Sequence, residues 1–324
     1  GAKPMSVGAA PSPQDQPVVA IVGGGLAGLA AAAALVQAGG LQVQLLEARR
    51  RLGGRAASFQ LGDTAEQVDH CQHVSMRCCT NLAHFSQQTG IADRFARHRV
   101  LHFFGPDGRY CRFAGSRWLP APLHLLGALN RLTYLSARQR RGIGRALWKL
   151  ARLCDPEVLN TQTVGGWLRA QDQSEETIAW FWELVLQSAL GESVEHALLS
   201  YARKVFVDGF MANRHAYELE IPAVPLGELY GDTLERWLGQ QGVALQLGTR
   251  VQRVEVRDGR VVGICARNGN ATAGETESEH RLSCDAAIVA VPWRQVAAMF
   301  DETALGPLAA GASSRPIGSA AISA

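Results

Sequence analysis

Three glycines at G-x-G-x-x-G spacing, Gly23, Gly25 and Gly28, constrain what this chain can fold into more than any other feature. They follow an apolar β-branched run, Val18 to Val22, that reads as a buried strand. They open an Ala-rich stretch that reads as a helix to about Ala38. A second strand, Val43 to Leu46, ends on Glu47. Strand, glycine turn, helix and strand ending on an acid are the order and size of a dinucleotide-binding βαβ unit. Gly23 permits the tight turn out of the strand. Gly25 has no Cβ, so a pyrophosphate can approach the backbone. Gly28 and the alanines let the helix lie close on the sheet. The helix start, Leu26-Ala27-Gly28, offers free N–H groups and the positive dipole end to phosphates. Glu47 is placed to bind ribose hydroxyls, and an acid there would repel a 2′-phosphate, which argues against NADP. The alternative is a glycine-rich turn with no ligand.

The residues after Glu47 choose between dinucleotides. Glu47-Ala48-Arg49, then Gly53-Gly54-Arg55, resembles the E-x-R-x-x-x-G-G-R extension of the amine oxidase and phytoene desaturase flavoproteins. The resemblance implies FAD, with Arg49 and Arg55 near the cofactor, the glycine pair bringing backbone to it, and the Arg after the pair meeting the pyrophosphate. Forked guanidinium donors suit that role.

The chain has 324 residues, 47% of them hydrophobic and 19% charged, which is ordinary globular composition and enough for two domains. A net charge of only +3 gives no global nucleic-acid footprint, so no nucleic-acid partner is expected. Seven scattered cysteines with no C-x-x-C pair argue against a disulfide framework and for reduced thiols in the cytoplasm. Residues 1–16 are rich in Pro, Gly, Ala and Ser and read as a disordered leader without a signal peptide. No stretch reaches the roughly 18 uninterrupted apolar residues of a membrane span.

The pattern along the chain predicts an α/β fold. A discontinuous Rossmann-like FAD-binding domain, 17–75 and 228–300, holds a mostly helical α+β substrate domain, 76–227 and 301–324, inserted into it. Helical segments are expected over 80–97, 122–153, 161–171, 175–190 and 228–240. A hairpin fits Leu101–Arg112. Strands are expected at Val243–Leu247, Val251–Arg257, Arg260–Arg267 and Ala286–Val291, with a turn at Asp258-Gly259 and a polar surface loop over 268–280.

Further segments carry a more specific resemblance. Val68-Asp69-His70-Cys71-Gln72-His73-Val74, followed by Cys78-Cys79-Thr80-Asn81, is similar to the V-D-x-G-Q-H-V…C-C-T-N stretch of squalene-associated FAD-dependent desaturases. These are the hydroxysqualene dehydroxylases of bacterial hopanoid synthesis, relatives of the phytoene desaturases. Trp118 to Leu126, Trp182 to Leu190 and Ile221 to Tyr230 resemble later segments of that family. The resemblance implies reductive removal of a hydroxyl from a C30 isoprenoid, hydroxysqualene to squalene. It also places Val251 near the adenine. A phytoene-type desaturase is the alternative enzyme. A non-catalytic flavin- or lipid-binding protein is the alternative of another class. Cys71 stands where the family has Gly, and Arg77 replaces a small residue. The family's C-terminal flavin-binding segment is expected to be missing.

Departure of a hydroxyl needs a proton donor. His70 and His73 are the candidates, since imidazole titrates near neutrality. Equally, both could only hydrogen-bond backbone or flavin. No metal is expected, because the spacing of His70, Cys71, His73, Cys78 and Cys79 fits no common zinc pattern. The tryptophans 167, 180, 182 and 237 either line a hydrocarbon tunnel or pack helices. Between Asp107 and Asp155 there is no acid, while ten Arg and Lys residues alternate with large apolar ones. That composition suits a peripheral helix pair on an anionic membrane, the inner face of the cytoplasmic membrane, or an arginine-rich solvated face.

Overall fold

Val18–Val22 forms strand β1, Leu26–Ala38 helix α1 and Gln42–Glu47 strand β2. They belong to a computed structural model that describes residues 16–64, 66–71, 73–268 and 279–300. The leader 1–15, the tip of the polar loop and residues 301–324 lie outside the described residues. Ala20 and Ile21 of β1 and Leu45 of β2 have no exposed surface. Burying Ile21 or Leu45 this way stabilises by about 1.5–3 kcal/mol each. Ala32 and Ala33 are the buried residues in the middle of α1, small enough for the helix to sit close on the sheet.

Ala244–Leu247 (β3) and Ala286–Val289 (β7) flank these strands in a four-stranded sheet of order β3-β2-β1-β7, all parallel. Val22 is in register with Leu46 and with Val289, so the strands end together where the glycine turn begins. A second sheet of Thr249–Arg257 (β4), Arg260–Asn268 (β5) and Glu279–Leu282 (β6) is antiparallel. Asp258 and Gly259, both at positive φ (51° and 73°), make its two-residue turn. The fold is the expected α/β one.

The chain divides into two compact units. One holds residues 16–73, Phe85–Arg94 and 222–300; the other holds Val74–His84 and Phe95–Ile221. The first unit takes in Phe85–Arg94, a stretch assigned from sequence to the insertion. Phe85 and Ile91 are buried there.

The insertion has its own core, built on Leu132, Leu135, Leu168, Trp182 and Phe206. Trp182 is fully buried, its ring edge-on to Phe181 and Phe206, and its Nε1 donates to Gln173 Oε1 at 3.2 Å. Trp167 belongs to the same core.

Two long helices expected from sequence are broken. Over 80–97, helix α2 (Thr80–Gln88) ends before Gly90, whose φ of 72° no helix admits, and Phe95–His98 is a strand. Over 122–153, a short 3₁₀ turn and a short helix precede a bend, and helix α3 (Ala137–Arg152) starts afresh. Ser136 caps α3, accepting from the Gln139 amide while the Gln139 side chain accepts from the Ser136 amide. Arg140 donates to the carbonyls of Leu132 and Leu135, which holds the bend.

Candidate functional site

The candidate site is the turn between β1 and α1 with the segment that follows β2. The Gly23 amide donates to Leu46 O at 2.8 Å, which ties the turn to the end of β2. Gly23 has φ 108°, and a Cβ there would lie 2.6 Å from Ala290 O. At Gly28 a Cβ would lie 1.8 Å from Gly23 O and 3.4 Å from Ile21, so this position must be glycine for the turn to close as well as for the helix to pack on β1. Gly25 differs. A Cβ there would meet nothing nearer than Gly54 Cα at 3.9 Å. The protein itself leaves that space open, which is the room a pyrophosphate needs. Gly25 is the N-cap of α1, with no side chain bonded to the first turn and no acid in it. Its first-turn amides, those of half-buried Leu26, exposed Ala27 and buried Gly28, face an open approach.

Glu47 is fixed by backbone. One carboxylate oxygen accepts from the Gly24 amide at 2.7 Å, the other from the Arg49 amide at 2.8 Å. A carboxylate has about four lone-pair sites, so acceptors remain for two ribose hydroxyls. Gly53 bridges to Gly25, and the Gly53 amide donates to Gly24 O at 2.9 Å. The second glycine pair is therefore laid against the first. Ala48, Arg49 and Arg55 are exposed beside it. Burial pushes the Tyr230 hydroxyl up to about 12, and the Tyr230 ring stem backs Gly53. Val251 is buried in one cluster with Val22 and Leu46, the residues preceding Gly23 and Glu47.

Three participants, Gly24, Leu52 and Arg51, escape the motif. Gly24 is buried, and a Cβ there would strike Leu52 at 2.5 Å, so Gly24 and the fully buried Leu52 lock the two loops together. The run Gly23-Gly24-Gly25 was the available signal. Arg51 donates to Ser58 O and its Nη2 lies 3.2 Å from His70 Nε2.

His70 and His73 are both engaged. Arg has no acceptor, so His70 Nε2 must accept, which leaves its proton on Nδ1. The exposed His70 ring also packs on Phe59 at 5.0 Å. His73 Nδ1 donates to Cys71 O at 3.1 Å, and its Nε2 lies 4.0 Å from Cys71 Sγ. Among the described residues no group of three or more His, Cys, Asp or Glu could hold a metal ion.

An open N-terminal cradle, a fixed acid at the end of β2 and a second glycine loop against the first define a dinucleotide-binding flavoprotein domain. Matching its sequence against protein families gives flavin containing amine oxidoreductase over residues 26–321. The chain belongs to that family, and FAD is its cofactor. Similar proteins include the 15-cis-phytoene desaturase of Narcissus pseudonarcissus, 26% identical over 276 residues, covering 82% of this chain and 47% of the relative. The zeta-carotene desaturase of Synechocystis is 26% identical over 282 residues, covering 82% and 57%. The chain thus spans about half the length of the curated relatives it matches. An oxidoreductase from Methanosarcina mazei superposes with TM-score 0.63 at 16% identity, covering 87% of this chain and 61% of that one. A putrescine oxidase double mutant superposes with TM-score 0.60 at 17% identity, covering 88% and 60%. These structures share the fold.

Proposed function

We propose that the chain acts as an FAD-dependent oxidoreductase on a long isoprenoid. The observation that carries the flavin part is the open space at Gly25 beside a Glu47 carboxylate fixed by two amides. The residues present fit FAD. The amides of Leu26, Ala27 and Gly28 take the pyrophosphate, Arg49 and Arg55 add charge beside it, and Glu47 orients the ribose. Bound FAD supplies two-electron hydride chemistry. The protein's part is to orient the substrate, keep water out and supply a proton where a hydroxyl leaves.

The stretch from Val68 to Asn81 supports reductive dehydroxylation, hydroxysqualene to squalene, as the particular reaction. In that reading, His70 through Nδ1, or the imidazolium form of His73 through Nε2, gives the proton to the departing oxygen. The names of the curated relatives favour a second reading, desaturation of a carotenoid precursor, which runs the same site in the oxidative direction. The chain loaded with FAD and incubated with a reductant and hydroxysqualene should form squalene. Conversion of phytoene with an electron acceptor, and none of hydroxysqualene, would establish the second reading instead. Stoichiometric flavin with turnover of neither would leave a flavin- or lipid-binding protein.

An insoluble substrate has to be collected from a bilayer. Support for a peripheral membrane surface lies in residues 117–126. Trp118 is 92% exposed, with Leu119, Leu123 and Leu126 at 41–51% beside it, in a region free of acids. The helix-pair form of this idea needs revision, because α3 turns Ile143, Ala146 and Leu150 into the core. No helix among the described residues is long and apolar enough to cross a membrane. Attachment by this loop should therefore be interfacial, with each basic residue near the surface adding about 1 kcal/mol. Trp118→Ser with Leu123→Ser should abolish co-sedimentation with anionic vesicles. Unchanged pelleting of that variant would refute the loop as anchor.

A further inference from the structure

The insertion gathers three arginines and two glutamates on a small sheet that has no part in the chemistry above. Strand Leu219–Pro222 lies between strands Ser75–Met76 and Phe95–His98. Its pairing with Ser75–Met76 is antiparallel, with Ser75 opposite Glu220 and Met76 opposite Leu219. The Arg77 amide donates to Glu218 O at 3.0 Å, which carries that register on by one pair. Met76 packs against the core of the insertion. Alternation therefore turns Ser75, Arg77, Glu218 and Glu220 to the other face. Arg97 joins them from the third strand, its Nε 3.8 Å from Glu218 Oε2 and its Nη2 3.9 Å from Glu220 Oε1. Arg99 follows it, with Nε 4.0 Å from Glu218 Oε1.

Arg77 and Glu218 stand on opposed positions, where a guanidinium and a carboxylate ordinarily close into a short forked pair. These two form no ion pair with each other. Arg77 Nη1 lies 3.9 Å from Glu220 Oε1 instead. Glu218 is only 2% exposed, and its Oε1 accepts from His215 Nδ1 at 2.7 Å. Its Oε2 and Arg77 Nη1 are both buried and have no hydrogen-bond partner among the described residues. The four arginine–glutamate pairs around them all fall at 3.8–4.0 Å, beyond hydrogen-bond length. Coulomb attraction holds this face together, but one buried acceptor and one buried donor stay unsatisfied on facing residues. Such atoms are costly to bury, so their persistence points to a group that completes them.

We propose that Arg77 and Glu218 form a binding site for the hydroxyl group of an apolar alcohol. The ligand O–H donates to Glu218 Oε2, and the same oxygen accepts from Arg77 Nη1. A hydroxyl carries a donor and acceptor lone pairs on one atom, so a single group completes both residues. A phosphate or carboxylate brings no proton for Glu218 and meets two acids. An ammonium brings no lone pair for Arg77. The apolar body of the ligand rests on the isoprenoid reading above, while the hydroxyl rests on the unpartnered pair. Arg77 stands where the resembling family has a small residue, so the resemblance does not supply this site.

A site built to hydrogen-bond a hydroxyl rejects analogues that lack it far more strongly than an apolar pocket rejects a missing methylene. A methyl ether of the same body separates the two contacts. It keeps lone pairs for Arg77 and has no proton for Glu218. Leaving the Glu218 oxygen unpaired should weaken the ether about tenfold or more relative to the alcohol. Glu220 carries the same charge on the same face, with a quarter of its side chain exposed, and serves as the comparator.

The test measures equilibrium binding of tritiated farnesol and tritiated farnesyl methyl ether to the whole FAD-loaded chain in dodecylmaltoside micelles. Farnesol should bind about tenfold more tightly than the ether, or better. Glu218→Gln supplies an amide that can donate to either oxygen, so it should bring the two affinities together. Arg77→Met should weaken both ligands and keep their ratio. Glu220→Gln should leave both affinities unchanged. Equal binding of alcohol and ether by the unmutated chain overturns the hydroxyl site and leaves the isoprenoid reading in place. Binding of neither overturns both. A preference for the alcohol that survives Glu218→Gln or is untouched by Arg77→Met puts the hydroxyl elsewhere and overturns the proposal. The alcohol–ether comparison on the unmutated chain stands even if a variant misfolds.

Discussion

The glycine turn at 23–28 and the arginine-rich stretch at 117–152 are both conspicuous in the sequence, yet they behave differently in the fold. In the turn, the working groups are backbone amides, and the residue types matter for what they lack. Two of the glycines answer to a specific atom, Ala290 O for Gly23 and Gly23 O for Gly28, while Gly25 faces open space. In the basic stretch, one composition is divided among three jobs. Ile143 and Leu150 enter the core. Arg140 holds the carbonyls of Leu132 and Leu135, and Arg131 donates to Ala114 O. Others, among them Trp118 and Trp148, face outward. A pattern set by backbone sterics keeps its meaning on folding, whereas a pattern of similar side chains is sorted by packing.

The sharpest way to break this contrast is to add one methyl at each of two glycines. Gly28→Ala forces a Cβ into Gly23 O, a backbone atom that cannot move aside cheaply. It should cost about 3 kcal/mol of stability, a fall on the order of 10 °C in Tm. Gly25→Ala places its Cβ in open space at an extended φ of −75°. It should leave the Tm of the flavin-free chain unchanged and weaken FAD at least tenfold, about 1.4 kcal/mol. Equal effects of the two variants on stability would mean that Gly25 serves the fold and not a ligand.

The same division can be tested in α3. Ile143→Ala should cost about 3 kcal/mol, because the side chain is fully buried and its cavity cannot fill. Trp148→Ala removes a larger side chain that is 55% exposed and stacked by the Arg152 guanidinium at 3.5 Å. It should cost about 1 kcal/mol or less in denaturant unfolding. Glu47→Ala, in turn, should weaken FAD by roughly 1.5–3 kcal/mol through the lost charged hydrogen bonds. Calorimetric titration with FAD reads this directly, and unchanged affinity would remove Glu47 from the site.

What was legible in the sequence follows from how many levels agreed. β1, α1 and β2 were readable because β-branched strand, glycine turn, Ala-rich helix and terminal acid all point one way. Gly24 and Leu52 were not, since the motif counts alternate glycines and says nothing of the loop that packs against them. The break after Gln88 was missed because Phe85 and Ile91 continue an apolar pattern past Gly90. The start of α2 at Thr80 falls where the sequence pattern put it. The roles of His70 and His73 depend on Arg51 and on the Cys71 carbonyl, partners that no spacing rule supplies.

The smallest effect concerns His124, which sits in the exposed segment yet has no accessible surface itself. Neither ring nitrogen has a hydrogen-bond partner. Its ring faces Tyr217 at 6.1 Å. Burial first, then the positive charges of Arg214 and His215, hold its titration below 6.5. The folded state therefore binds this proton less tightly than the unfolded chain. Above 6.5 the group is neutral in both states and costs nothing through protonation. As pH falls below 6.5 the unfolded chain takes the proton first, so stability declines until the folded imidazole titrates in turn. His124→Leu removes both unpaired nitrogens and the titration. It should be as stable as the parent or about 1 kcal/mol more so at pH 8, with a wider margin at pH 5, measured by urea unfolding at each pH. A margin that is constant between the two pH values would show that this imidazole is not held neutral by the fold. A margin that grows toward acid would show that one buried base, among all those arginines, makes the segment sensitive to pH.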